Sequence, residues 1–127
     1  MTPEETMREK LAALTEAGET LRCPVFGHLL QKGRSWTGYF ALTENALLVR
    51  LLPKKEGGKG FSARVPLELK SVRVIRLPLR GHVYLSLRFR AGNPCRLLLP
   101  MRAYALEKQT ENVKIMIETL KKRCGKR

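Results

Sequence analysis

The sequence predicts a mainly β domain with a helix at either end. Short runs rich in Val, Leu, Phe and Tyr recur between residues 24 and 100, divided by Gly, Pro and Lys clusters, the spacing of an antiparallel sandwich or barrel. Beyond Pro100 the apolar period lengthens from two residues to helical spacing. The first twenty residues begin with a helix-start signal. A chain of 127 residues, 43% of them apolar, is the size of one domain and can bury a core without metals or disulfides. It is read as one globular unit, with an N-terminal amphipathic helix over 1–20 and a β domain over 21–127 that includes the last helix.

Thr2 suits an N-cap, Pro3 the first helical position, and Glu5 completes a capping box. Met7, Leu11 and Leu14 then mark one apolar face, and Gly18 offers a left-handed stop. Strands are expected near 24–31, 36–43, 46–52, 60–66, 70–77, 81–90 and 95–100. Thr43-Glu44-Asn45 is a tight polar connection, so the second and third strands should form a hairpin. Lys54 to Gly60 is the longest glycine-rich loop and is expected to be mobile. Val83, Leu85, Leu87 and Phe89 alternate with Tyr84, Ser86, Arg88 and Arg90, the pattern of a half-buried strand. Leu106, Val113, Met116, Ile117 and Leu120 form the stripe of a closing helix that ends near Gly125.

Charge is unevenly distributed. The 25 Lys and Arg against 11 acids, all of them Glu, give +14 and a pI near 10.4, which favours polyanionic partners. Residues 1–20 carry five acids and two bases, whereas 21–106 carry sixteen bases and three acids. The acidic first helix is therefore expected to pack on the basic β domain of its own chain or of a second copy.

Gly27-His28-Leu29-Leu30-Gln31-Lys32-Gly33, followed by Trp36-Thr37-Gly38-Tyr39-Phe40-Ala41-Leu42-Thr43 and Leu47-Leu48, resembles the opening hairpins of pleckstrin-homology (PH) domains. Val65 to Val72 is similar to a stretch common in the GRAM-like and bacterial PH-like branches, and the resemblance covers roughly 21–124. It implies a seven-stranded, strongly bent antiparallel sandwich capped by the C-terminal helix and used as a binding or adaptor module. In phosphoinositide-binding members, the first hairpin carries a Lys, a further base and then an Arg. Here Lys32 and Arg34 match the loop, but Thr37, Gly38 and Tyr39 follow Trp36, and the family's Trp in the last helix is absent. The divergent, bacterial-type branch is the better match.

In an up-and-down meander the loops after strands one and three share an end, which would gather Lys32 and Arg34 with Lys54, Lys55 and Lys59. The resemblance implies that the turn from Arg90 to Asn93 joins this rim, with Gly92 permitting close approach of a ligand. Near an anionic surface each base contributes about 1 kcal/mol. The expectation is a non-enzymatic module that binds a protein partner and makes weak contact with anionic lipid through Lys32, Arg34, Lys54, Lys55, Lys59 and Arg90. The alternative is a basic protein that binds nucleic acid through phosphates without sequence choice.

Catalysis has little to work with. Asp is absent, the β region holds three scattered Glu, and Gly57-Gly58-Lys59-Gly60 lacks the spacing and the following hydroxyl of a phosphate-binding loop. Aromatic residues are only 6% of the chain, too few for an RNA-binding sheet of exposed rings, so Trp36, Tyr39 and Phe40 are read as packing. His28 and His82 have no partner cluster, and Cys23, Cys95 and Cys124 are widely spaced free thiols; no metal or cofactor is expected. The longest apolar run, Ala46 to Leu52, is interrupted by Arg50, and the first residues lack a secretory layout. A cytoplasmic protein, peripheral at most to a membrane, is the expectation.

Overall fold

The computed structural model describes residues 2–54, 57–77 and 81–125. In chain order it contains α1 (Pro3–Ala12), β1 (Arg22–Gln31), β2 (Arg34–Leu42), β3 (Ala46–Leu51), β4 (Phe61–Pro66), β5 (Leu69–Leu77), β6 (His82–Phe89), β7 (Cys95–Pro100) and α2 (Gln109–Gly125). The seven strands form one antiparallel sheet in the order β4-β3-β2-β1-β7-β6-β5. Its two edges are β4 and β5, so the sheet bends into a sandwich without closing.

The inner face follows from strand alternation. Val25 of β1, Phe40 and Leu42 of β2, Leu47 and Val49 of β3, Val83, Leu85 and Leu87 of β6, and Leu97 and Leu99 of β7 are buried in one cluster. Val113, Met116, Ile117 and Leu120 of α2 seal its open end. Where β1 crosses β2, Gly27 faces Gly38 directly. A Cβ on Gly27 would stand 2.5 Å from Leu99 Cδ2, and one on Gly38 would stand 2.5 Å from the Arg50 carbonyl oxygen. Only hydrogen fits on that side, which lets the strands lie close at the bend.

β1 carries both halves of the sheet. It pairs with β2 along nearly its whole length, but with β7 only through His28, Leu29 and Leu30. Its start is bulged between Arg22 and Val25, with Cys23 at φ 44°. Here side chains of α2 take the place of a neighbouring strand. The Gln109 Oε1 accepts from the Phe26 N–H at 2.9 Å, its Nε2 donates to the Phe26 and Pro100 carbonyls, and Asn112 Nδ2 donates to the Pro24 carbonyl at 3.0 Å. Both residues are buried.

A second, smaller core lies on the outer face. Met7 and Leu11 of α1 pack with Ala41, Ala46, Leu48 and Leu106, and Phe26, Tyr39, Leu14 and Leu21 lie against them. Thr2 caps α1 as expected, its Oγ1 accepting from the Glu5 N–H. The helix nevertheless ends at Ala12, well before Gly18, because the Leu14 and Thr15 N–H groups turn to carbonyls three residues back and the chain folds down toward β4. There Arg64 of β4 meets Glu19 at 2.7 Å and Glu16 at 3.1 Å, and donates to the Leu14 carbonyl. Glu19 also accepts from the Thr43 hydroxyl and the Asn45 amide. The acidic segment thus packs on its own chain's β domain.

Leu106, placed by the sequence pattern in the last helix, belongs to the outer core. α2 begins three residues later, because Ala103 and Leu106 form a β-bridge and Ala105 adopts φ 61° in the connection. The expected hairpin at Thr43 is present, with its hydroxyl accepting from the Asn45 and Ala46 N–H groups. Arg123 near the end of α2 donates to the Glu44 carbonyl at 2.8 Å and tethers the helix to that turn.

Replacing Gln109 with Ala strands the Phe26 N–H and carbonyl against the core. An unsatisfied buried group costs about 1–3 kcal/mol, and urea unfolding should show a loss of at least that size; an unchanged midpoint would refute the role given to Gln109. The Arg64 guanidinium, then the Glu16 N–H, hold the Glu19 carboxyl far below its ordinary pKa. Its contribution to stability is therefore complete above the ordinary carboxylate range and fades as pH falls through and below it. In Glu19→Gln, thermal stability should vary less with pH on the acid side than in the parent, whereas parallel curves would show that Glu19 carries no such linkage.

Candidate functional site

The rim at the β1–β2 end is built on a two-residue turn. Lys32 (φ 49°) and Gly33 (φ 74°) both have left-handed backbones, and Gln31 pairs with Arg34 across them. Such a turn matches the twist of the strands it joins. Arg34 is therefore the first residue of β2 rather than part of a loop. Lys32 and Arg34 are exposed and line a hollow with Gln31 and Trp36.

Trp36 is shared with a larger hollow of about 570 Å³. Leu29, Leu51, Leu52 and Pro53 supply apolar walls, Lys54 and Lys59 a basic edge, and Phe61 stands over it 58% exposed. The Lys54 Nζ lies 4.8 Å from the Trp36 ring centroid, a cation–π contact. Trp36 packs its inner side on the main core while presenting this outer side to the rim, so it is both packing and surface. Lys32 also borders Leu30, Asn93, Pro94 and Arg96. Among the described residues no carboxylate lines any of these three hollows.

The structure thus sets Lys32, Arg34, Lys54 and Lys59 around Trp36. Lys55 lies outside the described residues. Arg90 follows β6 into a different groove, with Leu67, Glu68, Leu69 and Arg123, where its N–H donates to the Glu68 carbonyl. Gly92 sits at φ 89° with open space where a Cβ would be, so the turn's backbone conformation accounts for the glycine. Arg96 is the addition that sequence reading missed; its pairing with Leu30, which brings β7 to the first hairpin, is a long-range register.

The cysteines are accounted for by packing, and His28 is oriented by its neighbours. Burial pushes the Cys23 and Cys95 thiols up to about 12, which suppresses the nucleophilic thiolate. Cys124 is half-buried, with its Sγ 3.7 Å from the Lys70 carbonyl. His28 Nδ1 lies 3.2 Å from the Thr37 hydroxyl, and its ring meets Phe26 edge-on at 5.7 Å. Among the described residues no cluster of His, Cys or Glu could hold a metal ion, and no helix is long and apolar enough to cross a membrane.

No family model matches the sequence, and no curated protein matches it. Solved structures do resemble it. The C-terminal domain of an unknown protein from Leishmania infantum superposes with TM-score 0.57 at 15% identity, over 92% of this chain and 96% of that one. The hSac2 domain of the human phosphoinositide phosphatase Sac2 gives 0.59 at 14% identity, over 94% and 78%. The DH/PH domains of PDZ-RhoGEF, solved in complex with activated RhoA, give 0.50 at 12% identity, over 91% of this chain and 32% of that one. At such identities the likeness is one of architecture, and the architecture of this chain is a PH-like fold.

Proposed function

We propose that this chain is a non-enzymatic PH-like adaptor that docks a protein partner through the Trp36 rim and adds a weak, charge-driven contact with anionic membrane. The observation that carries the reading is the make-up of that rim. An apolar hollow with an exposed Phe61 and a cation-capped Trp36 is bordered by Lys32, Arg34, Lys54 and Lys59, with no carboxylate among the described residues to neutralise them. An aromatic anchor in a pocket is the usual centre of a protein interface, and the bases beside it favour an anionic surface. The domains of similar fold belong, by their descriptions, to a phosphoinositide phosphatase and to PDZ-RhoGEF in complex with RhoA, and the second of these surroundings supports a role in binding.

The two-residue turn at Lys32-Gly33 and the missing bases after Trp36 favour attraction by charge over recognition of one head group, as in the divergent branch suggested by the sequence. The protein should sediment with vesicles containing phosphatidylserine at low salt, release as salt rises, and ignore neutral vesicles. Lys54→Glu should abolish sedimentation; equal binding to both vesicle types, or to neither, would overturn the membrane contact. Phe61→Asp should lose a protein that the parent captures under the same conditions, and identical captures would overturn the docking role of the rim. Salt-sensitive binding to DNA and RNA without vesicle binding would favour the nucleic-acid alternative instead.

A further inference from the structure

A second hollow, of about 420 Å³, lies on the outer face of the sheet beside the first turn of α1, away from the Trp36 rim. The register explains its contents. His28 pairs with Leu98 and His82 with Pro100, two residues apart on β7, so both imidazoles rise on the same face. Phe26 and Tyr39 stand side by side across β1 and β2, their rings 6.4 Å apart. The β7–α2 connection supplies Arg102 and Tyr104. Tyr104 is 99% exposed, held there by the Ala103–Leu106 bridge next to the left-handed Ala105.

The strands and the β7–α2 connection add aromatic rings and basic groups to an otherwise apolar lining. β1 contributes His28, β2 Tyr39, β6 His82, and the connection Arg102 and Tyr104; α1 lines the hollow through Pro3, and its neighbouring Glu4 and Glu5 are not in the lining. Arg102 has no carboxylate within ion-pair distance among the described residues. Burial, and then the field of His82, hold the His28 imidazole below its ordinary pKa, so His82 repels a proton on His28. An anion seated between them would remove that repulsion, and the rings would hold a flat body beneath Tyr104.

We propose that this hollow is a second binding site, for a ligand in which an aromatic ring carries a compact oxyanion. Its volume falls within the range of small-molecule sites. Arg102 and the two imidazoles receive the oxyanion, while Phe26, Tyr39 and Tyr104 contact the ring. Because the bound anion favours the protonated His28 imidazole, affinity rises as pH falls through the histidine range.

The test is a titration of the full chain followed by the NMR signals of the His28 and His82 rings. The probe is benzenesulfonate, whose charge is constant across that range, with phenol and inorganic sulfate as controls. Saturable shifts with benzenesulfonate are expected, at least about tenfold weaker with phenol, which lacks the charge-assisted contact, and weaker with inorganic sulfate, which lacks the ring contacts. Affinity should increase several-fold from about pH 8 to about pH 5.5, across the imidazole titration. Arg102→Gln, at an exposed position, should weaken binding without altering the thermal midpoint, and Arg73→Gln on β5 should leave binding unchanged. Phenol binding as tightly as benzenesulfonate, absence of saturation, or an unaffected Arg102→Gln variant would each overturn the site. Phenyl phosphate and a short phosphotyrosine peptide form the last comparison: tighter binding of the peptide assigns the ligand to a protein chain, and equal binding assigns it to a free small molecule.

Discussion

The fold depends on how β1 serves two neighbours at once. β2 holds one side of it throughout, but β7 reaches only its last residues, and the bulge at Cys23 turns the earlier part away. A strand leaving a sheet exposes peptide groups that must be paired or hydrated. Gln109 and Asn112 pair them from the first turns of α2, and this fixes the rotation of the helix. Once Gln109 is seated on Phe26, helical spacing turns Val113, Met116, Ile117 and Leu120 into the open end of the sandwich. Polar bonds thus set the geometry that the apolar stripe then fills.

The outer face completes the architecture. Because α1 lies over β2 and β3, those strands are covered on both sides, and the ion pair of Arg64 with Glu19 closes the cover against β4. Two of the surfaces left open differ in character. The β1–β2 and β3–β4 turns gather bases around an aromatic ring, while the hollow beside α1 combines imidazoles with tyrosines. One is an apolar hollow with a basic edge, and the other a recess in which imidazoles and a guanidinium stand among rings.

Most of the architecture was legible because it rests on local signals. The alternation of Val83, Leu85, Leu87 and Phe89, the Thr43 hairpin and the Thr2 cap each reflect interactions within a few residues, and each is found where expected. What the sequence hid is long-range. Nothing near Gln109 or Asn112 announces that they bond to β1 more than eighty positions away, and Arg123 reads as tail charge although it tethers the Glu44 turn. The helix end at Ala12 was missed because Gly18 satisfies the local rule while tertiary contacts to Arg64 decide the outcome. At the rim, the meander brought four of the named bases around Trp36, but Arg90 follows a corner that no local pattern specifies.

The double covering of β3 has a further implication. Ala46, Leu47, Leu48 and Val49 are all buried in succession, so neither alternate set of side chains can change polarity without entering a core. β5, at one edge of the sheet, is exposed at most of its positions and can absorb substitutions there, away from Leu69, Val72 and Val74, which meet the core. Among descendants of a common ancestor, drift should concentrate at that margin while β3 stays nearly frozen, and lineages should diverge first in how that margin meets its surroundings.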